Sequence, residues 1–551
     1  MAGDLLRIGP RRRPPRDLLF LAPLLLFVAA FALVPVALYF GATLAASGGL
    51  AGLHAAASDP LDQRAVANSL GQGALSAALA LLLGYPVGLA LGRYAWPGRS
   101  TVRALLLIPF LLPTLVVVFG VRDLFGAGGV AVGIVPSLSV FGSGIPAIVG
   151  TNLLFNTPLV ALFVAAGCEV APSELEDTVA TLGGTPFRAY REAWGPPTWV
   201  GAGAGALLTF LFSALSFAPP LLLCGPRCYT VEAQIYYLAQ SVSPTAAGTL
   251  AMLMVVLFLL PTAAYLYLLA RLRARPGQRS RRPPPLPWRR PLGAIVAAAT
   301  ALLLAAEAAL VAAVAYRSVR PYPNAPIGGA WGTLFSSATA DRLGLSVGQL
   351  LGNTFAFAAG AALLAVLLGL AAGHAVARRR RRATVTALVL FVPLLLSPVV
   401  LAIALSEFWR PLLGGNANVW ALVVASQAVL ALPFALQSLD LPLAGVPRDA
   451  ADAARTLGAT GWQAYLDVDL PRVRGGVATA GLFALALGLG EFTATNFLVA
   501  VARPDTTLPV ALYNLSSTRY VPLQDALAGL LLLVSLAAFV ALALGGRRVE
   551  F

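Results

Sequence analysis

Twelve apolar runs, each long enough to cross a bilayer, recur along the chain. A helical span needs about 20 apolar residues at a rise of 1.5 Å each. The windows that satisfy this are 18–42, 66–92, 102–121, 143–168, 198–223 and 247–270, then 293–315, 350–377, 384–407, 418–439, 476–501 and 521–545. Proline interrupts 102–121 and 384–407, which makes their limits the softest. The pattern predicts an all-α polytopic membrane protein of about twelve transmembrane helices, with both termini on one side. Composition agrees: 58% of the 551 residues are hydrophobic and 11% charged, against about 25% charged in a soluble domain.

Charge orients the spans. All 38 basic residues are arginine, and with the N-terminus inside, 29 of them fall on the cytoplasmic side. That asymmetry predicts cytoplasmic termini. Arg11–Arg13 followed by an apolar run also looks like a cleaved signal peptide, but the run far exceeds the usual h-region of about 7–15 residues, so an uncleaved first span is expected. The basic runs, Arg378–Arg382 among them, read as topology anchors beside anionic membrane lipid. No soluble module accompanies them, so no nucleic-acid partner is expected. Residues 271–292, with Pro283, Pro284, Pro285 and Pro287, read as an extended cytoplasmic linker between a first half (1–270) and a second (293–551). The absence of lysine excludes a Walker A loop, and two histidines, His54 and His374, exclude an H-E-x-x-H zinc site. No metal or cofactor is expected in this chain.

The halves are copies. Residues 172–196 (PSELEDTVATLGGTPFRAYREAWGP) align with 447–471 (PRDAADAARTLGATGWQAYLDVDLP) at a constant offset of 275. Asp177/Asp452, Leu182/Leu457, Gly183/Gly458, Thr185/Thr460, Tyr190/Tyr465 and Pro196/Pro471 are identical, and Phe187/Trp462 are both aromatic. Asn68/Asn353, Gly84/Gly369 and Pro113/Pro398 pair at an offset of 285. Six spans separate equivalent positions, which gives two parallel repeats about an axis along the membrane normal. Each copy falls between the fourth and fifth spans of its half, on the cytoplasmic side. A short helix is expected there, opened by a Ser173–Glu176 capping box or an Asp449 N-cap and stopped at Gly183 or Gly458. A second turn then presents Phe187 and Tyr190, or Trp462 and Tyr465, as an aromatic knob. A knob repeated about a two-fold axis suits a two-fold symmetric partner.

This segment resembles the EAA loop of binding-protein-dependent ABC importer permeases, whose pattern runs roughly E-A-A…G…F…L-P. Asp452-Ala453-Ala454 through Gly458 to Leu470-Pro471 is the closer copy; the first departs at Thr178, Val179 and Gly195. Two further stretches resemble the same family: Ser216-Phe217-Ala218 with Gly225-Pro226-Arg227, Thr230-Val231-Glu232 and Ile235-Tyr236, and Leu489-Gly490-Glu491-Phe492 with Thr507-Leu508-Pro509 and Leu512-Tyr513. Twin loops in one chain look like the fused permeases of the ferric-iron, thiamine and related subfamily. The resemblance implies a type I ABC importer permease fold in a bacterial inner membrane. It implies a cytoplasmic ATPase dimer that binds ATP and Mg, and an extracytoplasmic solute-binding protein. Coupling to that ATPase is implied for Glu176, Asp177, Leu182, Gly183, Phe187, Tyr190 and Pro196, and for Asp452, Ala453, Ala454, Leu457, Gly458, Trp462, Tyr465 and Pro471. Ferric iron and thiamine lead the substrates it suggests, ahead of sulfate, molybdate and polyamine.

Some candidates rest on the residues themselves. Glu491 in the eleventh span faces either a water-filled path or a buried helix contact. Ser213, Ser216, Phe217, Phe492 and Asn496 are further pathway candidates, with interhelical hydrogen bonding the competing reading for the polar ones. Glu307 lies in a seventh span expected at the periphery and reads as structural. Cys224 and Cys228 lie in an outward loop where the compartment permits a disulfide, although spacing alone does not decide it. A twelve-span secondary transporter and an intramembrane enzyme are the competing functions. The first would carry its basic-acidic loop between spans 2 and 3, and the second would need clustered catalytic groups; neither pattern is present.

Overall fold

A computed structural model describes residues 17–546 apart from 107, 274–282, 287–290, 323, 378–396, 415–418, 445–447, 500–502, 517 and 519. Eleven of its helices are long and apolar enough to cross a membrane. The basic runs Arg7–Arg16 and Arg378–Arg382, most of the linker, and the first part of the expected span at 384–407 lie outside the described residues.

In chain order the principal helices of the first half are α1 (Leu21–Ala46), α2 (Pro60–Gly92), α3 (Thr114–Phe125), α4 (Gly144–Glu169), α5 (Ser173–Thr181), α6 (Gly195–Ala214), α7 (Ala218–Leu223), α8 (Val231–Ser241) and α9 (Pro244–Arg273). The second half follows with α10 (Pro291–Val319), α11 (Val347–Ala377), α12 (Pro398–Leu412), α13 (Val419–Ala444), α14 (Arg448–Thr456), α15 (Leu470–Gly490), α16 (Thr493–Val499), α17 (Leu508–Ser516) and α18 (Val521–Gly546).

Three expected spans are corrected. The run at 102–121 is not one helix: it breaks into Arg99–Leu105, Ile108–Leu111 and α3, and Pro113 stands at the N-cap of α3. A proline inside a helix removes a backbone donor and crowds the preceding turn. Its repeat mate Pro398 likewise opens α12, where the Ser397 hydroxyl accepts the Val400 N–H at 3.2 Å. The runs at 198–223 and 476–501 also break, after Ala214 and after Gly490, and restart as α7 and α16.

Each half is built on a three-helix core, α2–α4–α6 and α11–α13–α15. In the first, Gly84, Gly88 and Gly92 form one stripe of α2, and a Cβ on Gly88 would lie 2.6 Å from the Ala161 carbonyl. Small residues let membrane helices approach until backbones touch. The halves then exchange their first spans. Helix α1 packs on α11 and α12, while α10 packs on α2 and α3. The seventh span is among the least buried of the spans, as expected, but Glu307 on α10 faces inward and is buried, within a small void shared with Leu112 and Val117. The proline-rich part of the linker runs extended, with Leu286 N–H bonded to the Ala95 carbonyl at 3.2 Å.

The asparagines paired in sequence do the same work in both halves. Asn68 Nδ2 donates to the Arg227 and Tyr229 carbonyls at 3.2 and 3.1 Å. Asn353 Nδ2 donates to those of Pro504 and Thr506 at 2.8 and 3.0 Å. Beside them, Ser69 Oγ accepts from Val231 N and Thr354 Oγ1 from Leu508 N, both at 2.9 Å. Each half thus ties the loop before α8 or α17 to the second span of that half.

Candidate functional site

The breaks after α6 and α15 meet at the junction of the halves and line a partly open cavity of about 340 Å³. Irregular backbone at membrane depth is tolerated where it lines a cavity and is buried in protein. The lining is built from repeat partners: Pro113 and Pro398, Asn152 and Gln427, Ser216 and Glu491, Phe217 and Phe492, Ala218 and Thr493. The Phe217 and Phe492 rings stack on one another, with centroids 5.7 Å apart and planes 29° apart. Behind them Tyr236 meets Phe217 at 5.1 Å and Tyr513 meets Phe492 at 5.0 Å. One aromatic cluster is therefore assembled symmetrically from both copies.

Glu491 lies at the cavity and makes a local helix cap rather than a contact between helices. It lines the cavity, and its carboxylate accepts the Ala494 and Thr495 N–H groups at 2.8 and 2.9 Å and the Thr495 hydroxyl. A carboxylate placed there satisfies orphan donors at a helix start. Ser216, Phe217 and Phe492 also line the cavity. Ser213 and Asn496 stand one layer back: Asn156 Nδ2 donates to Ser213 Oγ at 3.2 Å, and Asn496 Nδ2 donates to the Tyr236 hydroxyl at 3.0 Å.

The place of Glu232 at the cavity emerges only in three dimensions. From α8 of the first half its Oε1 accepts the Val399 N–H at 3.1 Å, in the first turn of α12 of the second half. Its side chain is fully buried yet lines the cavity. The T-x-E motif pointed to the residue; no local pattern points to its partner 167 positions away.

At the other end of α6 and α15 lie the repeated loops. The helices α5 and α14 end alike. Gly183 and Gly458 take φ of 70° and 96°, Gly184 N–H bonds the Val179 carbonyl at 2.8 Å, and Ala459 N–H bonds that of Ala454 at 3.0 Å. This is the Schellman stop. The expected capping box is displaced. Pro172, not Ser173, stands before α5, with no side-chain cap, and Glu176 instead pairs with Arg93. The box forms one turn later, where Thr460 and Gln463 cap each other's N–H groups at 3.2 and 2.8 Å; the Thr185 hydroxyl accepts from Arg188 N at 3.3 Å. The knob is also smaller than expected. Phe187 and Leu182 are 70% and 71% exposed and Leu457 is 89% exposed, but Tyr190 turns inward onto the Tyr85 hydroxyl at 3.1 Å and the Trp194 ring at 4.6 Å. Asp177, Pro196 and Pro471 are exposed, Ala454 and Tyr465 half-buried, and Ala453 is exposed. The side chains of Asp449, Asp452 and Trp462 lie outside the described residues. A single π-helical turn, Tyr190–Trp194 or Tyr465–Asp469, joins each loop to its α6 or α15 rod.

Cys224 and Cys228 form a disulfide with Cα atoms 5.7 Å apart, and Cys168 is buried and unbridged. Among the described residues no cluster of metal-ligating side chains occurs.

This arrangement has relatives across its length. The chain is 27% identical over 467 residues to the thiamine transport system permease protein of Escherichia coli, covering 81% of this chain and 82% of the relative. Over four-fifths of its length the chain is thus similar to a permease protein of a transport system. It is also 28% identical over 486 residues to the Brucella abortus thiamine transport system permease protein, with the same coverage. A shorter match, 34% over 142 residues, joins 24% of it to 62% of the molybdenum transport system permease protein of Escherichia coli. No family model matches the chain. The similarity and the eleven span-length apolar helices among the described residues agree on a multi-pass membrane protein.

Proposed function

We propose that this chain is a fused permease that forms the pathway for thiamine in an ATP-driven importer. Its halves are residues 1–270 and 293–551, its termini cytoplasmic, its two loops docked on an ATPase dimer and its opposite face on a solute-binding protein. Similarity over four-fifths of the chain to permeases named for thiamine transport carries the substrate reading. No relative reported above is named for iron, and the molybdenum match covers a quarter of the chain.

The geometry supplies a mechanism. Leu182, Phe187 and Leu457 offer apolar side chains on two equivalent loops, the kind of exposed apolar surface that marks a protein contact. Movement of α5 or α14 passes through the π turn it touches into α6 or α15, rods about 30 Å long. Both rods end at Phe217 and Phe492. ATP-driven closure of the partner would thereby shift the stacked rings that line the cavity.

Reconstitution in proteoliposomes with the ATPase and binding protein tests the reading. Thiamine uptake should require ATP, and Leu182→Asp with Leu457→Asp should abolish uptake and weaken ATPase co-purification while leaving the permease folded. Uptake that persists without ATP would make the chain a secondary transporter instead.

A further inference from the structure

We propose that the cavity between the halves is a binding site for a flat heteroaromatic cation, with Glu232 as counter-charge, Phe217 and Phe492 as ring faces, and Gln427 as acceptor for a ring-borne N–H. This deepens the import reading above and rests on it for the direction of transport; the chemistry comes from the cavity.

Two buried oxygens at the cavity lack a hydrogen-bond partner. Glu232 is 0% exposed; the Ser397 hydroxyl and the Val399 N–H both serve its carboxylate, and its Oε2 atom has no close hydrogen-bond partner. Gln427 is 3% exposed; its Nε2 donates to Thr495 Oγ1 at 3.2 Å, and its Oε1 also has no partner. Buried polar atoms are ordinarily satisfied, and a carboxylate at membrane depth is retained where it meets a partner or a water-filled path. Both residues line the cavity, so its contents are what can satisfy them.

Charge then selects among guests. Two carboxylates, Glu232 and Glu491, line the cavity, and no arginine is among the described lining residues. The helix starts that would suit an oxyanion are occupied: Val399 N–H by Glu232, and Ala494 and Thr495 N–H by Glu491. An incoming anion would meet two like charges and no free backbone donor at these starts. A cation meets an open carboxylate oxygen. The walls add ring faces, from Phe217 and Phe492 and from Phe155, Phe212 and Phe434, which attract a delocalised cation through its charge and its flat surface. The volume of about 340 Å³ lies at the lower end of small-molecule sites.

The repeat supplies an independent reason to separate Glu232 from scaffold. Its neighbours Thr230 and Tyr236 recur at an offset of 277 as Thr507 and Tyr513, but at its own place the second half has Pro509. The loop architecture therefore forms without a carboxylate there.

The test is equilibrium binding to the full chain in nanodiscs, with thiamine, an uncharged aminopyrimidine and molybdate as probes. Glu232→Gln keeps an acceptor for Val399 and removes only the charge. We expect thiamine to bind at least about tenfold more weakly to this variant, with the uncharged probe changed less than about twofold. Phe492→Leu, which keeps an apolar side chain, should lower thiamine affinity about fivefold. Unchanged thiamine binding in both variants, equal weakening of charged and uncharged probes in Glu232→Gln, no thiamine binding by the unaltered chain, or tighter binding of molybdate would each overturn the site. ATP-driven uptake measured in parallel separates the two claims. Uptake with a charge-insensitive cavity removes the site and keeps the import reading; binding without uptake does the reverse.

Discussion

The two halves agree where the chain must be held and differ where a solute would be met. Asn68 and Asn353 clamp the same loop through the same pair of carbonyls, and the loops on the far face stop on the same left-handed glycine. Phe217 and Phe492 even stack as a pair. At the cavity, however, Ser216 stands opposite Glu491, Asn152 opposite Gln427, and Glu232 has Pro509 as its sequence mate. A duplicated scaffold constrains backbone hydrogen bonds identically in both copies, whereas one asymmetric guest needs only one copy of each contact. The side chains that break the repeat are therefore the informative ones.

Three pairs of substitutions sharpen that contrast. The largest effect is expected at the core glycines. A Cβ on Gly88 would sit 2.5 Å from Val164 Cβ and 2.6 Å from the Ala161 carbonyl, while one on its mate Gly373 meets the tip of Leu443, with the remaining atoms of that side chain at 3.8 Å or beyond. Backbone cannot yield as a leucine tip can. Gly88→Ala should cost about 3 kcal/mol, the upper end for overpacking, and Gly373→Ala about 1 kcal/mol or less, read as midpoints of thermal unfolding in detergent. Equal losses would show that the two cores are packed alike.

Next come the clamps. Asn68→Ala and Asn353→Ala each strip a donor from two loop carbonyls, and each should cost about 1–3 kcal/mol, by the same assay and to a similar extent. A large effect in one half alone would break the claim that the scaffold is duplicated in energy as well as in geometry. The smallest contrast is at the breaks. Glu491→Ala removes a helix cap worth about 1 kcal/mol, whereas the Ser216 hydroxyl is buried without a hydrogen-bond partner, so Ser216→Ala should leave stability unchanged or raise it slightly. Destabilisation by Ser216→Ala would mean that this hydroxyl has work to do in the resting protein.

Much of this was legible in the sequence because it is local or repeated. Apolar length marks spans, and a fixed offset marks Asn68/Asn353 and the paired loop glycines before any contact is seen. What was not legible depends on distant segments. Tyr190 reads as part of an exposed knob, yet Tyr85 on α2 draws it inward. Ser173 reads as a cap, but Glu176, which would complete the box, is taken by Arg93. Glu307 lies on a span read as peripheral, and the sequence does not show that the exchange of first spans turns this residue against the first half. Glu232 belongs to the same class: its motif is visible, its docking across the halves is not.

The account turns on the cavity behind Phe217 and Phe492 being the pathway itself. Thr493 lines it, the Cys224–Cys228 pair is bridged and Cys168 is buried, so Thr493→Cys offers one reporter thiol. Its reaction with a membrane-impermeant maleimide can be followed from each face of oriented vesicles containing the assembled importer. The account predicts labelling from one face at rest and from the opposite face when the ATPase is trapped with ATP. Labelling from the same face in both states, or from neither, would contradict it.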